Sequence, residues 1–315
     1  MSIYKRTKIY IIMIKRLLAA AVLAVLTVTS ASAQLLYKIS GKDLKAPSYI
    51  IGTFHLANAT FVDKIAGVKD ALTATDQVFG EVPFDDMLNP DSLKVMQAAM
   101  MLPDGQTLKT VLSAEQYKKL DAVLTQMMGV GLSNPQVSAQ MGKMSPAALS
   151  AQLQVLMFMQ KHMGEFDPLH GFDQYFQTQA KHNNEPIGGL ETVAFQIALL
   201  YKSYDMQRQV EQLMCMIDNM DFYEKIVEKM AKAFYAQDID ALKAAMEEKL
   251  GNTCDATPKE WAQFIDNRNA DWVRKMPAIM AAKPTFFAVG AGHLPGPKGV
   301  LQLLKDIGYT VEAVR

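Results

Sequence analysis

Residues 49–56 read YIIGTFHL, an apolar run that ends at a glycine and is followed three residues later by His55. Residues 286–294 repeat the pattern as FFAVGAGHL, and there the histidine is His293. Runs of β-branched and aromatic residues without polar alternation are typical of strands buried in a parallel sheet. Ligands bind beyond the carboxyl ends of such strands. We therefore expect both histidines to reach one site from opposite ends of the chain.

The segments around the two histidines predict the same order of elements, namely strand, GxxH, loop, helix and strand. This order indicates an α/β fold with a central mixed, largely parallel sheet, flanking helices and two similar β-GxxH-α-β units. Residues 77–82 are predicted as the strand that follows the first helix, and they carry Glu81. Residues from about 89 to 164 look helical and rich in methionine. We predict a large helical insertion there, within a single domain over residues 34–315.

The first 33 residues have the features of a secretory signal peptide. Lys15 and Arg16 precede an uncharged apolar run over residues 17–28, and residues 31–33 read ASA, a small-residue cleavage site. We expect cleavage after about Ala33 and a secreted or periplasmic protein. No later stretch is long and apolar enough to span a bilayer, so we expect no stable membrane span after the signal is removed.

The charge balance argues against nucleic-acid binding. The chain has 32 basic and 32 acidic residues, and the leader holds five of the basic ones and none of the acidic ones. The mature part therefore has 27 basic against 32 acidic residues, a net charge near −5. Nucleic-acid binding depends on clustered Lys and Arg, so we expect a peptide or small-molecule substrate and no nucleic acid. The sequence does not indicate an oligomeric state.

The two cysteines of the chain, Cys215 and Cys254, lie in the mature part. In an oxidising compartment they could pair, or they could remain two buried thiols. Sequence alone does not show whether they are close enough to form a disulfide.

Three residues are the main candidates for chemistry: His55, Glu81 and His293. An acidic residue inside an apolar strand is costly to bury unless another group pairs with it. Two histidines and a carboxylate suit a divalent transition metal with open positions, and we expect Mn, Co or Zn. The same trio could also act without metal, with an imidazole that takes a proton from water and a carboxylate that orients it. Both mechanisms remain open at this point.

Glu191 and Arg268 are candidates for a supporting or substrate-binding role. Glu191 follows a short strand-like segment at a strand-to-helix junction, and a fixed Arg268 guanidinium could clamp a carboxylate or stabilise an oxyanion. The alternative makes Glu191 a first-turn helix residue and Arg268 its ion-pair partner.

Together these motifs resemble the TraB/GumN family, which includes the Tiki proteins. The matching segments span nearly the whole mature chain: LYKI at 36–39, IIGTFHL at 50–56, Glu81, GLETVAFQ at 189–196, RNADW at 268–272, VGAGHLPG at 289–296, GVL at 299–301 and GYTV at 308–311. The resemblance implies an α/β core related to the erythromycin-esterase and haem-binding ChaN-like folds. In Tiki proteins the two GxxH histidines and a glutamate are tied to metal-dependent proteolysis, which carries over to His55, His293 and Glu81.

The leading hypothesis is therefore an exported hydrolase, a metal-dependent peptidase that activates water at a His/Glu/His site. In it His55 and His293 hold the metal, and Glu81 is a ligand or general base. Glu191 and Arg268 support the site. The alternatives are a metal-free esterase-like hydrolase with the same trio, a haem-binding protein with one histidine as axial ligand, and a non-catalytic member of the same fold.

Overall fold

A six-stranded sheet forms the centre of the computed structural model, which describes residues 34–167 and 169–315. The strands are β1 (Leu36–Ser40), β2 (Ser48–Thr53), β3 (Gln77–Gly80), β4 (Ile187–Gly189), β5 (Thr285–Gly290) and β6 (Thr310–Ala313). Their order across the sheet is β4-β3-β5-β2-β1-β6. The pairs from β4 to β2 are parallel, and β1 runs antiparallel to both β2 and β6. The predicted mixed, largely parallel sheet is thus confirmed.

Helices flank the sheet and fill the middle of the chain. The α-helices of the described residues are α1 (Val68–Thr73), α2 (Phe84–Leu88), α3 (Pro90–Met100), α4 (Leu108–Val111), α5 (Ala114–Met128), α6 (Pro135–Met141), α7 (Pro146–His162), α8 (Phe172–His182), α9 (Val193–Lys202), α10 (Met206–Asp218), α11 (Met220–Tyr235), α12 (Ile239–Met246), α13 (Pro258–Trp261), α14 (Asn267–Ala282) and α15 (Val300–Asp306). Two 3₁₀-helices, Ala59–Lys64 and Ala291–His293, and a π-helical turn, Ala262–Asp266, complete them. Within these described ranges no helix is both long and apolar enough to cross a membrane. The predicted signal peptide lies outside the described residues.

The two GxxH units have the same order of elements. After β2 come a 3₁₀-helix, α1 and β3, and after β5 come a 3₁₀-helix, α15 and β6. Strands β2 and β5 are adjacent and parallel, with Gly52 opposite Val289 and Thr53 opposite Gly290. Because parallel neighbours end at the same edge of a sheet, both GxxH loops leave the sheet side by side.

The helical middle of the chain packs around its own apolar core. Leucines of α5 and α7, among them Leu120, Leu124, Leu149 and Leu153, are fully buried together with Leu213 of α10. Burying one such side chain contributes about 1.5–3 kcal/mol to the free energy of folding. Five methionines of this region, Met127, Met128, Met141, Met144 and Met157, belong to that core or pack against it.

A disulfide joins Cys215 of α10 to Cys254, in the segment before α13. The pairing was one of two possibilities that the sequence left open. The bond links residues 39 positions apart and so fixes the chain between α10 and α13 onto the helical core.

The strand that was predicted over residues 77–82 ends at Gly80, so Glu81 lies just beyond it. Just beyond this end the backbone is bound by a side chain, the amide of Gln177. Its Nε2 donates to the Val82 carbonyl oxygen at 2.9 Å, and its Oε1 accepts from the Phe84 N–H at 2.9 Å. Glu81 is thereby placed at the edge of the sheet rather than within it.

Candidate functional site

The two GxxH loops pack directly on each other at the edge of the sheet. A Cβ atom on Gly52 would lie 2.8 Å from the Cβ of Ala291, closer than two non-bonded carbon atoms approach in proteins. The glycine of the first motif is therefore required by the contact with the second. Its presence brings His55 and His293 to the same end of the sheet.

The guanidinium of Arg268 lies at the centre of a buried network on this edge. Its Nε donates to Glu191 Oε1 at 2.7 Å, and its Nη2 donates to Glu191 Oε2 at 2.8 Å and to Glu81 Oε2 at 2.6 Å. Its Nη1 donates to the Phe264 carbonyl oxygen at 3.2 Å and lies 3.0 Å from Nε2 of His293. These contacts use all five N–H groups of the side chain. Arg268 thus joins two carboxylates and one imidazole.

Glu81 is held as a carboxylate on both of its oxygens. Oε1 accepts from the Gly290 N–H at 2.8 Å, and Oε2 accepts from Gln196 Nε2 at 2.9 Å in addition to Arg268. Burial opposes ionisation, but the charges of Arg268 and His55 and the bond from the Gly290 N–H outweigh it and lower the pKa of Glu81 to about 2. Glu81 is therefore ionised at any pH near neutrality.

Glu191 lies deeper in the same network. Only 3% of its side chain is exposed, and besides its two bonds from Arg268 it accepts from Trp272 Nε1 at 2.9 Å. Gln196 Nε2 donates to Glu191 Oε2 at 3.1 Å. Trp272 also packs under the guanidinium, with Arg268 Cζ 4.9 Å from the ring centre. Glu191 is thus fully engaged by donors from α9 and α14 and does not face open space.

His293 is enclosed behind this network and is only 6% exposed. Its Nδ1 lies 2.6 Å from Asn269 Oδ1, and the centre of its ring lies 4.4 Å from the ring centre of Trp272. Since a guanidinium can only donate, Nε2 accepts from Arg268 and the ring proton is on Nδ1, from which it is donated to Asn269. Burial lowers the pKa of His293 to about 3, so the ring is neutral.

His55 has the opposite environment, with 74% of its side chain exposed. Its Nδ1 lies 3.1 Å from Oδ1 of Asp173, a residue in the first turn of α8. The same Oδ1 also accepts from the hydroxyl of Thr53. The charge of Asp173 raises the pKa of His55 above its ordinary value of 6.5, although water around the exposed ring screens this attraction.

A cavity of about 270 Å³ opens beside these residues. Its described polar lining includes His55, Glu81, Asp173 and Gln196 but not His293. The structure therefore places two of the three predicted catalytic residues at one cavity. The third, His293, joins the predicted supporting residues Glu191 and Arg268 in the network behind it.

The predicted metal ligands do not fit a bound ion in this arrangement. Nε2 of His293 accepts from Arg268, its Nδ1 faces Asn269, and Oε2 of Glu81 accepts from Arg268 as well. Nε2 of His293 and Oε2 of Glu81 therefore point at a guanidinium instead of an open coordination position, and Oε1 of Glu81 accepts from the Gly290 N–H. Elsewhere in the described ranges, too, no three His, Cys, Asp or Glu side chains are grouped so as to hold a metal.

The sequence analysis did not single out Asp173, Gln196, Asn269 or Trp272 as site residues. Trp272 could have been found, because it lies four positions after Arg268 and thus on the same face of α14. Asp173 carries no such signal, because its partners Thr53 and His55 lie more than 100 residues away in the chain. Gln196 lies five residues after Glu191, to which it donates, but its other partner, Glu81, is 115 residues away.

Comparison with known proteins identifies the family of this chain. A model of the TraB/PrgY/gumN family matches residues 35–313. The chain belongs to this family. The resemblance that the motifs indicated is therefore confirmed, and the matched residues include both GxxH loops, Glu81, Glu191 and Arg268.

Three curated relatives are similar over most of this chain. "Metalloprotease TIKI homolog" of Nematostella vectensis is 22% identical, over 85% of this chain and 65% of its own length. "Metalloprotease TIKI2" of Danio rerio is 22% identical over 84% of this chain and 58% of its own length. "Metalloprotease TIKI1" of the same fish is 24% identical over 84% and 60%. The chain thus spans less than two thirds of the length of the curated relatives it matches.

Proposed function

We propose that this chain is an exported hydrolase of the peptidase type that cleaves its substrate at the cavity between His55 and Glu81. One observation carries the proposal: an exposed histidine, oriented by Asp173, lines the same cavity as the ionised Glu81. The reaction class is supported by the relatives, which are named metalloproteases. Export rests on the predicted signal peptide.

In this proposal His55 is the general base. Nδ1 carries the ring proton and donates it to Asp173, so that Nε2 is left as an acceptor toward water. The Thr53 hydroxyl fixes the carboxylate of Asp173, and Asp173 stabilises the imidazolium that forms when Nε2 takes the proton. This is the logic by which an acid orients a catalytic histidine in other hydrolases.

Glu81 orients the attacking water. Its Oε1 accepts one bond, from Gly290, and a carboxylate oxygen has capacity for a second. The water, held between Oε1 and the imidazole, gives one proton to Nε2 of His55 while its oxygen attacks the substrate carbonyl carbon. The carbon–nitrogen bond then breaks, and His55 returns the proton to the leaving amine.

Arg268, Glu191 and His293 are positioning residues in this scheme. All five donors of Arg268 are used within the protein, so the guanidinium fixes Glu81 and does not reach the substrate. His293 and Glu191 in turn hold Arg268 from two other sides.

The names of the relatives favour a second candidate, a metal-dependent peptidase that uses Mn, Co or Zn. It would require Glu81 and His293 to turn their donor atoms away from Arg268. We assign no step of the reaction to a metal for that reason.

The test is cleavage of a library of fluorogenic peptides by the purified protein, before and after exhaustive chelation, together with elemental analysis. We expect no stoichiometric metal, cleavage that survives chelation, and its loss in His55→Ala. The matched control is His182→Ala, which removes an exposed histidine of α8 that does not line the cavity.

Three results would argue against the proposal in different ways. Cleavage that disappears on chelation and returns with Mn, Co or Zn favours the metal-dependent candidate. Unchanged cleavage by His55→Ala removes His55 from the chemistry. A protein that cleaves no peptide in the library is not a peptidase of this kind.

A further inference from the structure

We propose that the cavity beside His55 selects an uncharged, apolar side chain next to the bond that is cleaved. The inference rests on the proposed function, because it names the substrate that the same cavity would accept. It is drawn from the lining of the cavity, its size and the charges around it.

The lining is divided by chemistry. His55, Glu81, Asp173 and Gln196 form a polar group, and Val82, Phe84, Met87 and Phe166 supply an apolar wall. Asp167, Gln174 and Gln177 complete the polar part of the lining. Phe84 and Met87 belong to the single short helix α2, which follows Glu81 in the chain and whose start is fixed by Gln177. A substrate whose scissile carbonyl lies at the polar group therefore places the neighbouring side chain against the apolar wall.

The size of the cavity matches one side chain and its peptide group. At about 270 Å³ it is smaller than the roughly 300–1,000 Å³ of pockets that enclose a drug-sized ligand. Met87 adds adaptability, since an unbranched thioether adjusts to different apolar shapes. The cavity is thus suited to leucine, methionine or phenylalanine rather than to an extended ligand.

Charged side chains are disfavoured in this cavity. The carboxylates of Glu81, Asp173 and Asp167 line the cavity and repel an acidic group. Each is already bound within the protein: Glu81 by Arg268, Asp173 by His55, and Asp167 by His170 at 2.7 Å. A lysine or arginine of the substrate is attracted by these carboxylates, but it would lose its hydration against the apolar wall, which is unfavourable.

The experiment uses peptides that differ only in the residue next to the scissile bond, either Leu, Glu or Lys. We expect kcat/KM for the Leu peptide to exceed that for the Glu peptide by about 10- to 100-fold, the value of burying one large apolar side chain. Met87→Lys places a cation in the apolar wall and should shift this ratio at least about tenfold toward Glu. The matched control is Leu88→Lys, on the same helix but 59% exposed and outside the cavity lining, which should leave the ratio unchanged.

The outcomes separate this inference from the proposed function. Equal cleavage of all three peptides by the wild type overturns the apolar subsite and leaves the hydrolase intact. An equal shift in Met87→Lys and Leu88→Lys also overturns it, because the effect would then come from net charge. If no peptide is cleaved, the hydrolase proposal fails, and the subsite is decided by binding. N-acetyl-leucinamide that binds the wild type and not Met87→Lys supports it, and absence of binding to the wild type overturns it.

Discussion

The two GxxH loops have similar sequences and lie side by side, yet their histidines have opposite surroundings. His55 is 74% exposed and faces a carboxylate, whereas His293 is 6% exposed and lies between Asn269 and Arg268. The strand and the glycine fix where each histidine leaves the sheet, but residues from distant helices determine what it can do. A duplicated motif in one sheet therefore need not have a duplicated role. In our proposal the first loop meets the substrate and the second holds the carboxylate network.

The largest effect is expected from a variant that removes the histidine of the first loop alone. His55→Ala should lower kcat by about 10²–10⁴-fold, the usual contribution of a general base. It should change the free energy of unfolding by less than about 1 kcal/mol, because the ring is exposed and its ion pair with Asp173 is partly screened. Peptide cleavage and urea unfolding of the same sample measure the two effects. A large loss of stability without loss of rate would reverse the roles assigned to the two loops.

The second-largest effect, on the free energy of unfolding, is expected from a variant that disrupts the network around the second loop. Arg268→Met should lower the free energy of unfolding by about 3–5 kcal/mol, since it leaves two buried carboxylates without their common partner. Arg274→Met, on the same helix but 72% exposed, is the matched control and should change it by less than about 1 kcal/mol. Urea unfolding of both variants measures the difference. Equal values for the two would show that the buried network does not stabilise this end of the sheet.

The part of the fold that could be predicted from the sequence is the part set by local pattern. The apolar runs before Gly52 and Gly290 are long, unbroken and rich in β-branched and aromatic residues, and both became adjacent parallel strands. The strand before Glu81 was predicted two residues too long, and the backbone past its end is bound by Gln177, nearly 100 residues later. A pattern of neighbouring residues in the sequence carries no information about a contact with a residue so far along the chain.

The site was less accessible to sequence reasoning for the same reason. Glu81, Glu191, Arg268 and both histidines attracted attention because each follows a strand or stands in a recognisable motif. The difference between His55 and His293 depends on Asp173 and Asn269, which are ordinary polar residues in helices. Burial of an imidazole and saturation of a guanidinium are properties of the packed chain, and no spacing in the sequence encodes them.

A third effect, of a few kcal/mol in the free energy of unfolding, distinguishes the two histidines through the pH dependence of stability. The pKa of His293 is about 3 in the folded state and near 6.5 when unfolded, so between these values the unfolded chain binds a proton that the folded chain does not. Stability should therefore fall as the pH is lowered from about 6.5 toward 3. In His293→Gln the acid-side loss in the free energy of unfolding should be smaller, by an amount on the order of a few kcal/mol. Below about pH 4.5, the ordinary pKa of Glu81, the titration of Glu81 adds a second loss of stability in both proteins.

His55 should act with the opposite sign, which makes His55→Ala the control. Its folded pKa is raised, so its contribution is fully present below 6.5 and is lost as the pH rises through the folded pKa. Thermal unfolding from pH 4 to 9 follows both variants. An acid-side slope that is the same in His293→Gln and in the wild type would mean that His293 is protonated in the fold and that its bond from Arg268 is misassigned.

The smallest effect concerns the acid that distinguishes the first loop. Asp173→Asn removes the charge that raises the pKa of His55, so the rise of kcat/KM with pH, which follows deprotonation of the base, should move to lower pH. An amide oxygen can still accept from Nδ1, so the variant should keep measurable cleavage at high pH, where the shift of the profile is read. Asp221→Asn, an exposed residue in the first turn of α11, should leave the profile in place. A profile that moves to higher pH in Asp173→Asn, or does not move, would mean that Asp173 does not tune the base. In that case the pairing of His55 with an acid could not be the reason to assign the proposed catalytic role to only one of the two matching histidines.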